Sequence, residues 1–319
     1  MYSRLVIQDS KRLTGTESFV SSLAIDPEDQ NSILFGDGFS VKKWKGGTVY
    51  PVAGATFHKG FTNLAGSKAR LTTPSSLLHL NGSKWLIADT GNNCIRGLDL
   101  ANGALHTYLQ HFTDLQLITK TIYGGFYKPS CLLRDPLENH RIFILDANQI
   151  WSLNMLGETT VDVHYSSSLS DDLPFTSIGF YGGKLLATSA QALYRINISR
   201  EDVEFTYNGE IGWKSISLIQ DDPTKPEYRG LARLDGSDIF FTLDLTSSVI
   251  HLLDFEKKSQ FVVCNKSGNK SRDISGCILE KNATAVLYDS HSSALYIGNG
   301  AEISKLDGNL STYKQICFY

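Results

Sequence analysis

The chain has 319 residues, 41% of them hydrophobic and 20% charged, and its formal net charge is −3. That balance excludes disordered and collagen-like chains, and no stretch reaches the 18 or so apolar residues of a bilayer-spanning helix. The basic residues are scattered rather than gathered into a phosphate-binding surface, so no nucleic-acid partner is expected.

In chain order, short apolar runs bounded by turn residues predict β-strands throughout, and no amphipathic helix of more than two turns emerges. Residues 1–9, with Leu5-Val-Ile, precede the first full strand and are expected to close the fold by pairing beside Tyr313 to Phe318. Leu23-Ala-Ile leads to Ile33-Leu-Phe-Gly-Asp37 and then to a third strand carrying Trp44. The pattern is sharpest from Thr48 to Tyr108. After Pro74, the run Leu77, Leu78, Leu80 forms one strand, Asn81-Gly82-Ser83 a turn, and Trp85-Leu-Ile-Ala88 the next strand. Asp89-Thr-Gly-Asn-Asn93 is dense in residues that accept left-handed angles or bond their own main chain. Ile95, Leu98 and Leu100 then mark a third strand, and Ala104 to Tyr108 a fourth.

The second strand of this unit recurs as Ile142-Phe-Ile-Leu-Asp146, Leu185-Leu-Ala-Thr-Ser189, Ile239-Phe-Phe-Thr-Leu-Asp244 and Leu295-Tyr-Ile-Gly-Asn299. Counting from Asp37, the terminal positions lie 52, 57, 43, 55 and 55 residues apart. Each is followed by a third strand with an apolar residue near its end (Trp44, Leu98, Leu153, Ile196, Leu253, Leu306). Each is preceded by an inner strand, at Leu23, Leu77, Cys131, Ile178, Leu231 and Cys277. One such sheet cannot bury both faces alone, so the units must stack radially and close. The prediction is an all-β, six-bladed β-propeller of four-stranded antiparallel blades, one domain spanning 1–319. The expected blades are 20–54, 74–108, 129–163, 175–207, 229–264 and 274–318.

Thr48-Val-Tyr-Pro-Val-Ala-Gly, Ala69-Arg-Leu-Thr-Thr-Pro and Leu86-Ile-Ala-Asp-Thr-Gly-Asn-Asn-Cys-Ile-Arg together resemble an NHL repeat, with the other five units degenerate. The resemblance implies a propeller whose loops bind. Some NHL propellers bind RNA on a basic face, which this chain lacks. Six-bladed propellers also include lactonases, amidating lyases and strictosidine-synthase-like enzymes, so a metal-dependent lyase or lactonase with a site at the central channel is the alternative reading. Metal-using members bring histidines or carboxylates from several blades to one axis. Here His79, His251, His58, His111, His164 and His291 do not recur at matching positions, and no metal, cofactor or catalytic residue is expected.

Asp37, Asp89, Asp146 and Asp244 end second strands and are read as structural turn residues, each accepting hydrogen bonds from amides two or three residues on. Function then falls to the long connecting loops, Gly54 to Thr73, Gln110 to Lys128, Tyr207 to Arg229 and Cys264 to Ser275. They carry Phe57, Phe61 and Arg70, then Phe112, Tyr123, Phe126 and Tyr127, then Trp213, Tyr228 and Arg229, an aromatic and arginine set typical of contact hot spots. Arg70 also matches a repeat position that braces its loop.

Six Asn-x-Ser/Thr sites, at Asn81, Asn197, Asn265, Asn269, Asn282 and Asn309, point to a glycoprotein at the cell surface or outside it, and the lack of a basic and apolar secretory leader at the start leaves a cytoplasmic protein as the alternative to a mature or excised segment. Five cysteines leave at least one unpaired; Cys264–Cys277 and Cys277–Cys317 are the candidate bridges, Cys131 and Cys277 on inner strands otherwise read as packing residues, and Cys94 lies in the turn of the best repeat. The functional expectation is a non-enzymatic recognition module that takes a protein, or a glycan, on its loop face.

Overall fold

The computed structural model describes residues 7–110, 125–147, 149–156, 160–166, 175–189, 193–198, 205–210, 214–215, 228–234, 237–246, 249–255, 259–265 and 283–308. These residues form six sheets. The inner strands are Val20–Ile25, Pro74–Asn81, Pro129–Arg134, Phe175–Tyr181, Tyr228–Arg233 and Ala283–Asp289. Each pairs antiparallel with a second strand: Ser32–Asp37, Lys84–Asp89, Arg141–Asp146, Lys184–Ser189, Ile239–Asp244 and Ala294–Asn299. The third strands are Ser40–Lys45, Cys94–Asp99, Gln149–Asn154, Leu193–Ile198, Val249–Asp254 and Glu302–Gly308. Each inner strand touches the next, and Ala283–Asp289 returns to Val20–Ile25. The chain is a six-bladed β-propeller.

The second strands explain why their sequences are uniformly apolar. Successive side chains of a strand point to opposite faces, and in a stacked blade both faces are covered. Leu34 packs toward the second blade with Val41, Leu77, Trp85 and Ile87, while Ile33 and Phe35 pack toward the sixth with Ala294, Tyr296 and Ile303. Leu86 and Ala88 join Ile142, Ile144 and Trp151 in the next core, and Phe143 and Leu145 join Ile178, Leu185 and Ala187 in the one after. Phe240 packs with Leu186, and Phe241 with Leu295 and Ile297. There is thus one core per blade junction, six in all, each filled by side chains worth about 1.5–3 kcal/mol apiece when buried.

A recurrent bulge ties neighbouring blades together. In five inner strands the register slips just after the first residue, at Val20/Ser22, Pro74/Ser76, Pro129/Cys131, Phe175/Ser177 and Ala283/Ala285. A bulge re-aims the residue it contains. That residue is Ser21, Ser75, Ser130, Thr176 or Thr284. Four of these hydroxyls donate to a carbonyl of the next inner strand: Ser21 to Pro74 at 2.7 Å, Ser75 to Ser130 at 3.0 Å, Thr176 to Tyr228 at 2.9 Å, and Thr284 to Val20 across the closing junction. In the fifth blade the position is Arg229, followed by Gly230 at φ 70°.

Two details differ from the sequence reading. The strand that pairs with Ala294–Asn299 is Ala283–Asp289, six residues beyond the Cys277 run proposed for it. Ala285, Leu287 and Asp289 mix polar and half-buried positions there, so an alternation search passes over it in favour of the denser Cys277-Ile-Leu. The ring closes through Ile7–Gly15, which forms the outer strand of the last blade by pairing with Glu302–Gly308. Tyr313 to Phe318 lie outside the described residues.

The remaining outer strands are Thr48–Gly54, Ala104–Leu109, Thr160–Ser166, Phe205–Glu210 and Ser259–Asn265, and the short strand Lys214–Ser215 runs parallel to the last of these. Among the described residues no helix is long and apolar enough to cross a membrane.

Candidate binding face

The second strands all end at the same face of the ring, where the incoming connection of each blade also arrives. Asp37, Asp89, Asp146 and Asp244 are buried there, at 0%, 0%, 1% and 3% exposure. Their partners differ from the sequence expectation in three blades. Asp37 accepts from the Glu17 and Ser18 amides at 3.1 and 2.8 Å, Asp89 from the Thr72 amide at 2.7 Å, and Asp146 from the Tyr127 amide at 3.0 Å and the Lys128 amide. These donors sit immediately before the inner strand of the same blade, 17 to 20 residues upstream. The carboxylates therefore pin the incoming connection rather than their own turn. Asp244 keeps the expected geometry, accepting from the Thr246 amide at 3.0 Å. Burial pushes the Asp89 and Asp146 carboxyls above their ordinary range, against the pull of these donors.

A second position recurs beside them. Cross-strand from the residue two before each terminal position stand Lys42, Arg96, Trp151, Tyr194, His251 and Ser304. This residue pairs with the aspartate in the first, second and fifth blades, Lys42 to Asp37 at 2.8 Å, Arg96 to Asp89 at 3.0 Å and His251 to Asp244 at 3.5 Å, and in the third blade Trp151 bears on Asp146. Although burial favours the neutral amine, the Asp37 and Glu17 carboxylates raise Lys42 above its ordinary value.

Arg96 is the hub of the second blade. Its guanidinium is fully buried and donates to Asp89, to the Arg70 and Thr62 carbonyls at 3.2 Å each, and to Asn63 Oδ1 at 2.6 Å, with the Phe61 ring 4.6 Å away. The loop after Thr48–Gly54 is thereby fastened down. Its far half packs instead of projecting: Ala69 and Leu71 are fully buried in the core between the first two blades, and the Leu64 carbonyl accepts from the Leu105 amide of the outer strand. Arg70 gives its Nη1 to the Ser67 and Ala69 carbonyls at 2.5 and 2.7 Å, bracing its own loop.

What projects is a smaller group. Phe57 is 65% exposed, Phe61 46% and Tyr127 66%. The turn Thr90–Asn92, capped by Asn93 at φ 55°, joins them. Asn92 donates to the Gly60 carbonyl at 2.8 Å, next to Phe61, and the Thr90 hydroxyl donates to the Pro129 carbonyl at 2.6 Å on the other side. Phe126, proposed with them, is 4% exposed and stands edge-on to Trp151 at 6.0 Å in the core between the second and third blades. It is a packing residue, since only one of two adjacent side chains can face out from an extended segment. Tyr228 is half-buried against His251 at 5.8 Å, and Arg229 is exposed. Phe112, Tyr123 and Trp213 lie outside the described residues.

Asn81 is exposed at the end of its strand, and Asn265 ends another. The Asn197 side chain, and Asn269, Asn282 and Asn309, lie outside the described residues, as do the proposed disulfides of Cys264, Cys277 and Cys317. Cys94 and Cys131 are free thiols, and burial with the nearby Asp89 charge pushes Cys94 up to about 12, leaving it inert. Among the described residues no three His, Cys, Asp or Glu side chains converge as a metal site.

No protein-family model matches the chain, and no curated protein matches it. Solved structures do. An auxiliary nutrient binding protein from Bacteroides thetaiotaomicron superposes with a TM-score of 0.64 at 12% identity, covering 92% of this chain and 69% of that one. The WD40 repeats of RRP9 superpose at 0.57 with 11% identity, covering 97% and 100%, and virginiamycin B lyase from Staphylococcus aureus at 0.52 with 12% identity, covering 94% and 85%. These are propeller proteins. At such identities they share the fold with this chain, while their ligands and chemistry differ from one another.

Proposed function

We propose that the chain is a non-enzymatic recognition module of NHL-like type that binds a protein on the loop face of its first three blades. One observation carries this reading: Phe57, Phe61 and Tyr127 are each exposed on connections at one face of the ring, which Asn92, Asp89 and Asp146 fasten by hydrogen bonds. Large aromatics held rigidly in water are costly unless a partner covers them, and preordered loops lose little entropy on binding. The NHL assignment is supported by the way Asp89, Asn92 and Arg96 of the repeat pattern meet in one network. The six Asn-x-Ser/Thr sites support a secreted or cell-surface setting, in which a glycan is a second class of ligand.

The test is site-specific photocrosslinking on protein secreted from a eukaryotic host. A crosslinker at Phe57 or Tyr127 should capture one discrete protein from the source tissue, while one at Lys184, on the hairpin turn at the opposite face, captures none. Equal labelling from both faces overturns the binding face. Loss of mass on glycosidase treatment is expected in the same preparation, and an unchanged mass removes the extracellular setting.

A further inference from the structure

The charge around the exposed aromatics is segregated in a way the net value hides. From Gly38 to Ala88, 51 residues hold no Asp or Glu, yet include six lysines and Arg70, in a chain whose net charge is −3. Most of these cations are neutralised by carboxylates from elsewhere. Lys42 pairs with Asp37 and Glu17, Lys43 with Asp26 and Asp29, Lys45 with Asp29, and Lys84 with Asp99, at 2.7 to 3.2 Å. The cations beside the aromatics are not. Lys59, between Phe57 and Phe61, and Lys128, next to Tyr127, are exposed and form no ion pair among the described residues.

The described carboxylates nearby are already engaged in hydrogen bonds. Asp37, Asp89 and Asp146 are buried and saturated by amides and by Lys42 and Arg96, and Glu17 is held by Lys42 and the Thr56 hydroxyl at 2.7 and 2.9 Å. Among the described residues the face therefore offers apolar rings flanked by free ammonium groups, while its carboxylates are already hydrogen-bonded. Resting on the binding reading above, we propose that it docks an acidic segment of a partner protein, with an apolar side chain seated among Phe57, Phe61 and Tyr127 and carboxylates paired to Lys59 and Lys128.

Nucleic acid fits less well. Bases stack on open ring faces, and here the Arg96 guanidinium lies 4.6 Å from the Phe61 ring and the Lys128 ammonium 5.6 Å from the Tyr127 ring. Two free lysines would also neutralise only about two phosphates, which is a weak hold at physiological salt.

Fluorescence anisotropy of the full chain with a labelled peptide of four Glu-Glu-Leu-Gly repeats tests this. Binding is expected at low salt, weakened at least about tenfold by the Lys59→Glu, Lys128→Glu variant and by about 0.3 M salt. The same peptide with Gln for Glu should bind at least about tenfold more weakly. Lys59→Gln with Lys128→Gln, whose side chains are exposed, guards against misfolding and should give a smaller loss in the same direction, at unchanged Tm.

Equal binding of the Gln peptide, tighter binding of oligo-dT or heparin than of the acidic peptide, or a flat titration up to about 1 mM protein each overturns the acidic partner. The Phe57→Ala, Phe61→Ala, Tyr127→Ala variant separates the two readings. If it abolishes binding while charge reversal does not, the face stands and the acidic chemistry falls. If neither variant matters, the face itself is wrong.

Discussion

Asp89 receives donors from three separate segments, the Thr72 amide, the Asn92 side chain and the Arg96 guanidinium, and both members of the Asp89–Arg96 pair are fully buried. Reading the aspartate as a turn residue predicts a loss of about 1–2 kcal/mol on replacement by alanine. The buried pair changes the size of the effect, because the substitution strands a desolvated guanidinium along with the Thr62 and Arg70 carbonyl contacts it organises. Asp89→Ala should therefore cost about 3–5 kcal/mol in urea unfolding, and a loss under about 1 kcal/mol would show that Arg96 finds water or another acceptor. That an acidic residue recurs at the strand ends was legible in the sequence. That it pins the incoming connection was not, since a partner 17 to 20 residues upstream leaves no short-range signature. The same limit applies to Phe126 and Tyr127, neighbours of like chemistry whose opposite fates depend on which one meets Trp151.

At the level of the strand and hairpin, the second blade shows how its lower turns are closed by charge. Lys84 and Asp99 face each other across the second and third strands, 2.8 Å apart, and Asp99 also accepts from the Ser83 hydroxyl at 2.6 Å and the Ala101 amide at 3.1 Å. The hydrogen bonds from Lys84 and Ser83 hold its carboxyl down at about 2. Its folded value thus lies below the ordinary carboxylate value of about 3.9, so its contribution is present above that value and lost as pH falls toward 2. The melting-temperature gap between wild type and Asp99→Asn should be constant above about pH 5 and close between about pH 4 and pH 2. A gap that persists at pH 2 would assign the effect to the Ser83 and Ala101 hydrogen bonds instead. Strand identity was well marked in the sequence wherever both faces are buried, as in Ile142-Phe-Ile-Leu, and poorly marked in the last inner strand, where Ala283–Asp289 is half-buried along most of its length.

For the whole ring, stability depends on closing it. Ile7–Gly15 covers the outer edge of the last blade, and Thr284 donates to the Val20 carbonyl across the same junction, where Val20, Phe35, Tyr296 and Ile303 share a core. Removing residues 1–15 should lower Tm by several degrees and promote association, because it uncovers a sheet edge. Equal melting of the full-length and shortened chains would mean that the edge carries no stabilisation.

The repeat of apolar second strands, its period and its terminal aspartates determined by themselves that this chain is a six-bladed propeller, because a sheet buried on both faces requires a continuous apolar run that survives heavy drift in every other position. Tertiary structure alone decided which strand closes the ring, which carboxylate holds which connection, and which aromatics face water. Those outcomes rest on contacts between segments far apart in the chain, and on where the free lysines fall once the other cations have been paired.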